Sequence, residues 1–327
     1  MTDHPLIPLS DREGWETALA DVPHGFHHTW DFAQMTWLTT GYTTYLHTLA
    51  VGDGRSVCAF VERPVGDQAD VASVSGFSGF AGTASAATIE RHWNELAAER
   101  GWVSGYIGLN PIFEPPGYSD ATESHNDIYT LDLRLGPEAL RDACDRSRRR
   151  ELRGWEERAQ TFSTDREAIC AFLLEHYEPF MKAVGARPPL LSRESIEFLC
   201  ASERCVIVGA PTESTLDAVY VFGATPHCAD CFLAVSAGEG RRHLTDLLWY
   251  GVSEYSRRGV PAMNLGGGTS RDDAIAQAKQ RFRPERRPMR ALRQVYRPDA
   301  YKELCGAAPS PASEGWFPAY RAPGESA

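Results

Sequence analysis

The sequence contains very little lysine and no long apolar run. Its 33 basic residues include only three lysines, so arginine supplies nearly all of the positive charge. No apolar stretch reaches the ~18 residues that a membrane-spanning helix needs. The N-terminal segment is polar and acidic and lacks the apolar core of a signal peptide. We therefore expect a cytoplasmic protein with no membrane partner.

Metal and cofactor motifs are also scarce. The eight cysteines are scattered along the chain, which favours reduced thiols over a disulfide framework. The nearest approach to a zinc motif is His227–Cys231, a lone CxxC between two predicted strands. A zinc site needs a second pair of ligands, so we predict a hairpin turn here and no metal. The glycines of residues 76–82 lack the spacing and the lysine of a phosphate-binding P-loop, and no bound cofactor is expected.

Positive charge is concentrated in two segments of an otherwise acidic chain. The net charge is −11, yet residues 279–297 hold eight basic residues and one acid, and residues 141–153 hold six arginines and three acids. Such focusing favours an anionic ligand over non-specific nucleic-acid binding, and no DNA partner is expected. For residues 141–153 a solvated helix face is an equally good interpretation.

The order of predicted elements repeats along the chain. Its 327 residues exceed what one domain core needs, and each half indicates helices, three strands, a helix and a strand. In the second half we expect one long helix from Pro137 to about Glu157 and a later helix from Ser270 to Phe282. Residues 110–127 are predicted to be a loop, and the last twenty residues an irregular tail.

Three stretches resemble the Fem-like transferases. They are Tyr177–Gly185 (YEPFMKAVG) with Leu191–Glu194, then Val235–Gly268, and finally Ala278–Phe282 (AKQRF). The resemblance implies an α/β (α+β) protein with two tandem GNAT-like domains and mixed central sheets. The implied domains are residues 1–135, on which residues 290–327 pack back, and residues 136–289.

The resemblance also implies an enzyme that takes an aminoacyl group from aminoacyl-tRNA and forms an amide bond. Lys279 matches the family's lysine that stabilises the oxyanion, and it follows a glycine loop where backbone N–H groups can approach a ligand. From the residues alone, a solvated helix lysine is the competing interpretation. The implied substrate contacts are Asn264, Gly266, Gly267, Gly268, Phe282, Trp37 and Ser236. The implied phosphate contacts, to tRNA or coenzyme A, are Arg281, Arg283, Arg286, Arg287, Arg290, Arg241 and Arg242.

Two departures from the family reduce the range of acceptors that we expect. Ala278 replaces the aromatic residue that usually precedes the lysine, and no lysine occurs before Lys182, although the cell-wall enzymes use one there to hold a diphosphate. We therefore expect a small-molecule amine as acceptor, in natural-product (antibiotic) biosynthesis. An acyl-CoA-dependent N-acyltransferase is the first alternative, although residues 240–245 lack its usual glycine spacing. A non-catalytic tRNA-binding protein is the second.

Overall fold

The computed structural model describes residues 6–75, 77–118, 122–186, 189–213, 215–306 and 316–322. The chain forms two compact units. Unit 1 comprises Met1–Ala33, Tyr42–Ser124 and Pro288–Ala327, and unit 2 comprises Gln34–Gly41 and His125–Arg287. The expected mixed α/β class is confirmed, because both units combine helices with sheets that contain antiparallel and parallel strand pairs.

Unit 1 begins with two helices and continues into a sheet. Its elements are β1 (Leu6–Pro8), α1 (Arg12–Ala20), α2 (Trp30–Thr40, whose later part belongs to unit 2), β2 (Thr43–Val51), β3 (Gly54–Val65), β4 (Gln68–Ser73), β5 (Ala81–Gly82), α3 (Ala86–Arg100) and β6 (Ser104–Leu109). Strands β2, β3 and β4 are antiparallel, and β6 lies parallel to β4. Trp93 on α3 is fully buried against this sheet, together with Phe60 and Trp102.

Unit 2 repeats this order. Its elements are β7 (Thr122–Asp132), α4 (Gly136–Ala143), α5 (Arg146–Glu151), α6 (Trp155–Ala159), α7 (Arg166–Ala183), α8 (Arg193–Ala201), β8 (Cys205–Pro211), β9 (Leu216–Ala224), β10 (Ala229–Ser236), α9 (Leu244–Arg257), β11 (Ala262–Asn264) and α10 (Ala274–Gln280). Strands β8, β9 and β10 are antiparallel, and β11 is parallel to β10. The apolar face of α9 is buried on this sheet, and Gly251 leaves room there for the Phe222 ring.

In each unit, one strand pairs with a strand that is far from it in the sequence. Strand β7 follows β6 directly in sequence but pairs antiparallel with β11 in unit 2. Strand β12 (Glu285–Val295) leads into α11 (Pro298–Cys305) and pairs antiparallel with β6 in unit 1 through Arg290–Val295. The highly basic 279–297 segment therefore contains a sheet strand, which its charge did not predict.

Three predicted boundaries are wrong. The helix expected from Pro137 to Glu157 is three short helices, because Asp145 caps a new helix by accepting from the Arg148 N–H at 2.7 Å and Gly154 has a φ of +69°. The loop expected over 110–127 is shorter than predicted, because β7 begins at Thr122. The helix expected over 270–282 is confined to α10, because Asp273 is its N-cap. Residues 308–315 and 323–327 of the expected tail lie outside the described residues.

Candidate active site around Lys279

The loop after β11 is held by a chain of buried polar groups. Asn264 is 2% exposed, and its Nδ2 donates to Asp230 Oδ1 at 2.9 Å. Its Oδ1 accepts from the Gly266 N–H at 2.8 Å. Both polar atoms of the Asn264 side chain are thus used inside the protein. This geometry makes Asn264 a residue that positions the loop, and its predicted direct contact with substrate stays a prediction.

Each glycine of the triplet has a separate structural reason. Gly266 has a φ of +72°, which side-chain-bearing residues rarely adopt. A Cβ on Gly267 would lie 2.4 Å from the backbone oxygen of Asp127, and a Cβ on Gly268 would lie 2.2 Å from Asp273 Oδ1. Asp273 also accepts hydrogen bonds from the backbone of residues 269, 270 and 276. The loop is consequently packed tightly between β7 and the first turn of α10.

Lys279 reaches back from α10 to this loop. Its Nζ donates to the Gly267 carbonyl oxygen at 2.6 Å. Burial lowers the pKa of Lys279, while the nearby Cys231 thiol and Asp273 carboxylate act in the opposite direction. An ammonium group carries three protons, and the Gly267 carbonyl is its one hydrogen-bond acceptor in the described part of the chain. Lys279 can therefore present further N–H donors to a ligand from a partly desolvated position.

Sequence reasoning missed two residues beside Lys279. Cys231 lies next to it in β10, and burial raises the pKa of this thiol to about 12. Tyr220 lies near this thiol, and burial also raises the pKa of Tyr220. Both groups therefore stay neutral. The CxxC segment had drawn attention to Cys231 only as a metal ligand. Tyr220 lies two residues along β9 from Phe222, the register partner of Cys231, so only the strand pairing reveals that the two are close.

Phe282 is a core residue. It is 3% exposed, and its ring stacks on Trp249 with the centroids 6.0 Å apart. The guanidinium carbon of Arg148 lies 4.3 Å from the centroid of the Phe282 ring. Arg148 Nη2 also donates to the Ala278 carbonyl at 2.9 Å, which ties α5 to the residue before Lys279. Phe282 thus supports α10 from within the core, and its predicted contact with substrate stays a prediction.

Carboxylates neutralise three of the arginines predicted to bind phosphate. Arg286 donates twice to Asp127 Oδ2, at 2.6 and 2.8 Å, and these bonds raise the pKa of Arg286. Arg287 pairs with Glu285 at 2.8 Å. Within unit 1, Arg290 pairs with Glu114 and donates to the Tyr118 carbonyl at 3.1 Å. Folding has therefore assigned these charges to internal partners, which does not fit their expected role on phosphate.

The remaining predicted arginines differ in how far they are paired. Arg242 pairs with Glu239 at 3.1 Å and lies 3.7 Å from Asp217, so its charge is also compensated. Arg241 is exposed. Arg281 is exposed and lies 3.9 Å from Glu151, and Arg283 is exposed with a φ of +55°. Arg241, Arg281 and Arg283 remain compatible with an anionic ligand.

The other two predicted contacts lie on different elements. Trp37 is on α2 and is 44% exposed. Ser236 is the last residue of β10 and is half-buried. Between the described residues, no hydrogen bond joins either side chain to Lys279, so their role in substrate binding stays a prediction.

The CxxC segment forms the expected hairpin. The Thr225 N–H donates to the Cys228 carbonyl at 3.0 Å, and strands β9 and β10 continue from this turn. Over the described ranges, no group of three or more His, Cys, Asp or Glu residues is arranged to hold a metal ion. Within the same ranges, no helix has both the length and the apolar character required to cross a membrane.

The fold defined by these two units is found in known structures. FemX shares it with a TM-score of 0.61 and 10% identity, over 89% of this chain and 97% of FemX. The C-terminal domain of a putative lysylphosphatidylglycerol synthetase from Agrobacterium fabrum has a TM-score of 0.56 and 11% identity, over 89% of this chain and 93% of that one. The structure of L-PGS from Bacillus licheniformis has a TM-score of 0.54 and 11% identity, over 88% and 92%.

The predicted Fem-like fold is therefore confirmed. At this identity the likeness establishes the fold alone. No family model matches the sequence, and no curated protein matches it.

Proposed function

We propose that this protein moves an aminoacyl group from aminoacyl-tRNA to the amine of a small molecule. The observation that carries the proposal is the Lys279 ammonium group, held at 2.6 Å by the Gly267 carbonyl in a partly desolvated position. The fold shared with FemX, and with a protein named as a lysylphosphatidylglycerol synthetase, supports transfer of an amino acid. The lack of lysine before Lys182 supports a small acceptor.

The reaction requires stabilisation of one developing negative charge. The acceptor amine attacks the ester carbonyl of the aminoacyl-tRNA, a C–N bond forms, and the carbonyl oxygen becomes an oxyanion. The intermediate then collapses, the bond to the ribose oxygen breaks, and the proton lost by the amine ends on that oxygen. Lys279 would donate to the oxyanion, and its partial burial would strengthen this contact because less water competes for it. The glycine loop fixes the ammonium group before the substrate arrives.

Acyl-CoA is the alternative donor, and one observation weighs against it. A pyrophosphate would be expected at the start of α9, where backbone N–H groups and the helix dipole favour an anion. That helix start already contains Asp246, whose carboxylate accepts two hydrogen bonds from Arg158 at 2.6 and 2.7 Å. Arg242 just before it is paired with Glu239. The nearby cations Arg158 and Arg242 are thus already paired with carboxylates, which makes the α9 N-terminus a poor site for coenzyme A.

The donor can be identified in one assay that supplies charged tRNA and candidate acceptor amines together. Total tRNA charged with labelled amino acids is incubated with the protein and a panel of simple primary amines. An amide product resists mild alkali, whereas the aminoacyl ester of tRNA is hydrolysed. We expect label in alkali-resistant product, and we expect prior RNase treatment to abolish it. Transfer that resists RNase but requires acyl-CoA would eliminate the tRNA proposal, and tRNA binding without any transfer would favour the non-catalytic alternative.

The role of Lys279 is tested with Lys279→Met and a matched control. Loss of one oxyanion donor costs about 3–4 kcal/mol, so the turnover number should fall roughly 10²–10³-fold. Lys182→Met removes the same charge from an exposed helix position, where the lysine pairs with Glu178, and should leave turnover unchanged. Equal turnover in wild type and Lys279→Met would refute the site assignment.

The same site predicts a pH dependence. The proposed role needs the protonated amine, and burial lowers the pKa of Lys279 below its usual 10.5. Activity should therefore decline at high pH, with a midpoint below 10.5. In Lys279→Met the residual activity should lack this decline, which turnover measurements between pH 7 and 10.5 would reveal.

A further inference from the structure

Helix α5 separates its arginines onto two faces. Arg148 and Leu152 are four residues apart and are buried, with 5% and 0% of their surface exposed. Arg146 and Arg150 are one turn apart on α5, and Arg153 lies in the turn that follows this helix; all three are exposed. The i, i+4 spacing aligns Arg146 and Arg150 along one side of the helix. We call these three residues the basic stripe.

The charges of the basic stripe are uncompensated. Among the described residues, no side chain forms an ion pair or hydrogen bond with the Arg146, Arg150 or Arg153 guanidinium. The nearest acids in sequence are used elsewhere, since Asp145 caps α5 and Glu151 accepts from Arg148 at 2.6 Å. Like charges at this spacing destabilise a helix, so an anionic partner would relieve their repulsion.

The basic stripe lies on the helix that contacts the end of α10. The Asp145 N–H donates to the Arg281 carbonyl at 2.9 Å, and Arg148 Nη2 donates to the Ala278 carbonyl at 2.9 Å. The helix that carries the basic stripe thus packs directly against the residues on either side of Lys279. The two basic segments of the sequence meet at this point, and the exposed Arg281 and Arg283 adjoin it.

We propose that the basic stripe binds the phosphate backbone of the donor tRNA and thereby brings its aminoacyl end to Lys279. This inference rests on the proposed function and names the surface that recognises its donor. Arg146 and Arg150 are about 6 Å apart along the helix axis, and Arg153 follows in the next turn of chain, so the three charges suit successive phosphates of a strand better than one phosphate group. The rest of the chain is strongly acidic, so RNA would be attracted to this region in particular.

The test measures binding of uncharged total tRNA by fluorescence anisotropy between 50 and 300 mM salt. Each phosphate contact contributes about 0.7 to the slope of log affinity against log salt for a single strand. The triple variant Arg146→Gln, Arg150→Gln and Arg153→Gln should therefore lower the slope by about 2 and the affinity by about 100-fold at 0.1 M salt. In the transfer assay its KM for aminoacyl-tRNA should rise while kcat stays close to wild type.

A matched triple variant controls for the change in net charge. Arg134, Arg257 and Arg258 are also on the surface of unit 2, but each pairs with a carboxylate, of Asp132 or Glu254. Their replacement by glutamine should leave both the slope and the affinity within about twofold of wild type. Thermal unfolding and circular dichroism check that both variants are folded, since substitutions at exposed positions have small effects on stability.

The outcomes separate this inference from the proposed function. If wild type uses aminoacyl-tRNA and the stripe variant binds it with an unchanged salt slope, the basic stripe is not the RNA surface although the function stands. If the stripe variant loses affinity for coenzyme A while its tRNA binding is unchanged, the inference is also overturned. If wild type neither binds tRNA nor transfers from it, the proposed function itself has failed.

Discussion

Replacing Gly267 by alanine should damage the site while adding a single methyl group. An ideal Cβ at this position would lie 2.4 Å from the Asp127 backbone oxygen and 3.0 Å from Asn126 Nδ2. Ordinary contacts of a Cβ begin at 3.4 Å, so the loop or the start of β7 must move by about 1 Å. The obstacle is backbone, which cannot turn aside as a flexible side chain can.

The expected loss follows from the hydrogen bonds that such a shift breaks. The Leu265 N–H donates to the Tyr129 carbonyl at 2.8 Å, the Tyr129 N–H donates to the Gly266 carbonyl at 3.2 Å, and Lys279 Nζ donates to the Gly267 carbonyl at 2.6 Å. A neutral hydrogen bond contributes about 1 kcal/mol and a charged one about 1.5–3 kcal/mol, so about 3.5–5 kcal/mol should be lost if all three break. Misplacing a catalytic group by about 1 Å can also lower turnover roughly 10²-fold.

Hydrogen exchange and the transfer assay together measure this effect. Peptides from β11 and α10 should lose protection in Gly267→Ala while peptides from unit 1 keep theirs, and turnover should fall. Gly209→Ala is the matched control, because there the close contact of the added methyl is with the side-chain end of Leu216, at 2.9 Å, and the nearest backbone atom is at an ordinary 3.5 Å. It can lose stability but should keep wild-type turnover. Normal turnover and normal protection in Gly267→Ala would refute the loop packing and the role of Lys279 derived from it.

Two further predictions concern backbone strain and acid stability. Gly266→Ala and Gly185→Ala place a side chain at nearly equal left-handed φ, +72° and +73°, so unfolding measurements should show about 1–2 kcal/mol lost in each. Only in Gly266→Ala does the added Cβ contact Lys279 Nζ, at 3.2 Å. Turnover should therefore fall in this variant alone, and equal turnover in the two variants would contradict the proposed role of Lys279. Burial lowers the pKa of His27 to about 3 and that of His28 to about 4, from 6.5. As the pH falls, the histidines of the unfolded chain take up protons before those of the folded protein. The free energy of unfolding should therefore be highest above pH 6.5 and fall by about 1.4 kcal/mol per pH unit for each histidine as the pH drops towards 4. A constant unfolding midpoint from pH 6.5 to 4.5 would disprove this.

Periodic and capped elements were the part of the fold that the sequence predicted well. Helix α9 shows a clear apolar face, and helices α1, α7 and α8 begin after the side-chain caps Asp11, Asp165 and Ser192, all of which are signals visible in the sequence. Such signals are local, since a cap needs only its own side chain and the next turn. The break of the expected 137–157 helix was harder to predict. Asp145 and Gly154 are both tolerated inside a helix pattern, so the sequence did not show that Asp145 would act as a cap or that Gly154 would take a left-handed φ.

The site shows where local reasoning stops. The glycine triplet and Lys279 were recognisable because they lie close together in the sequence and match a known pattern. Tyr220 and the Asn264–Asp230 pair were not, since their contacts join residues of neighbouring strands. The ion pairs of Arg286 and Arg290 were not predictable for the same reason. Their partners Asp127 and Glu114 lie more than 150 positions away in the chain, and only the folded structure brings them together.

The geometry also explains why an arginine-rich chain keeps lysine at position 279. The ammonium group occupies a narrow slot, 2.6 Å from the Gly267 carbonyl oxygen and 3.2 Å from the point where a Gly266 side chain would begin. A guanidinium group is planar and wider, so it would collide with the loop that an ammonium group fits. Lys279→Arg would keep the charge yet displace the loop, and it should therefore recover little of the turnover that Lys279→Met loses. Full activity of Lys279→Arg would mean that charge alone suffices and that the slot does not orient the donor.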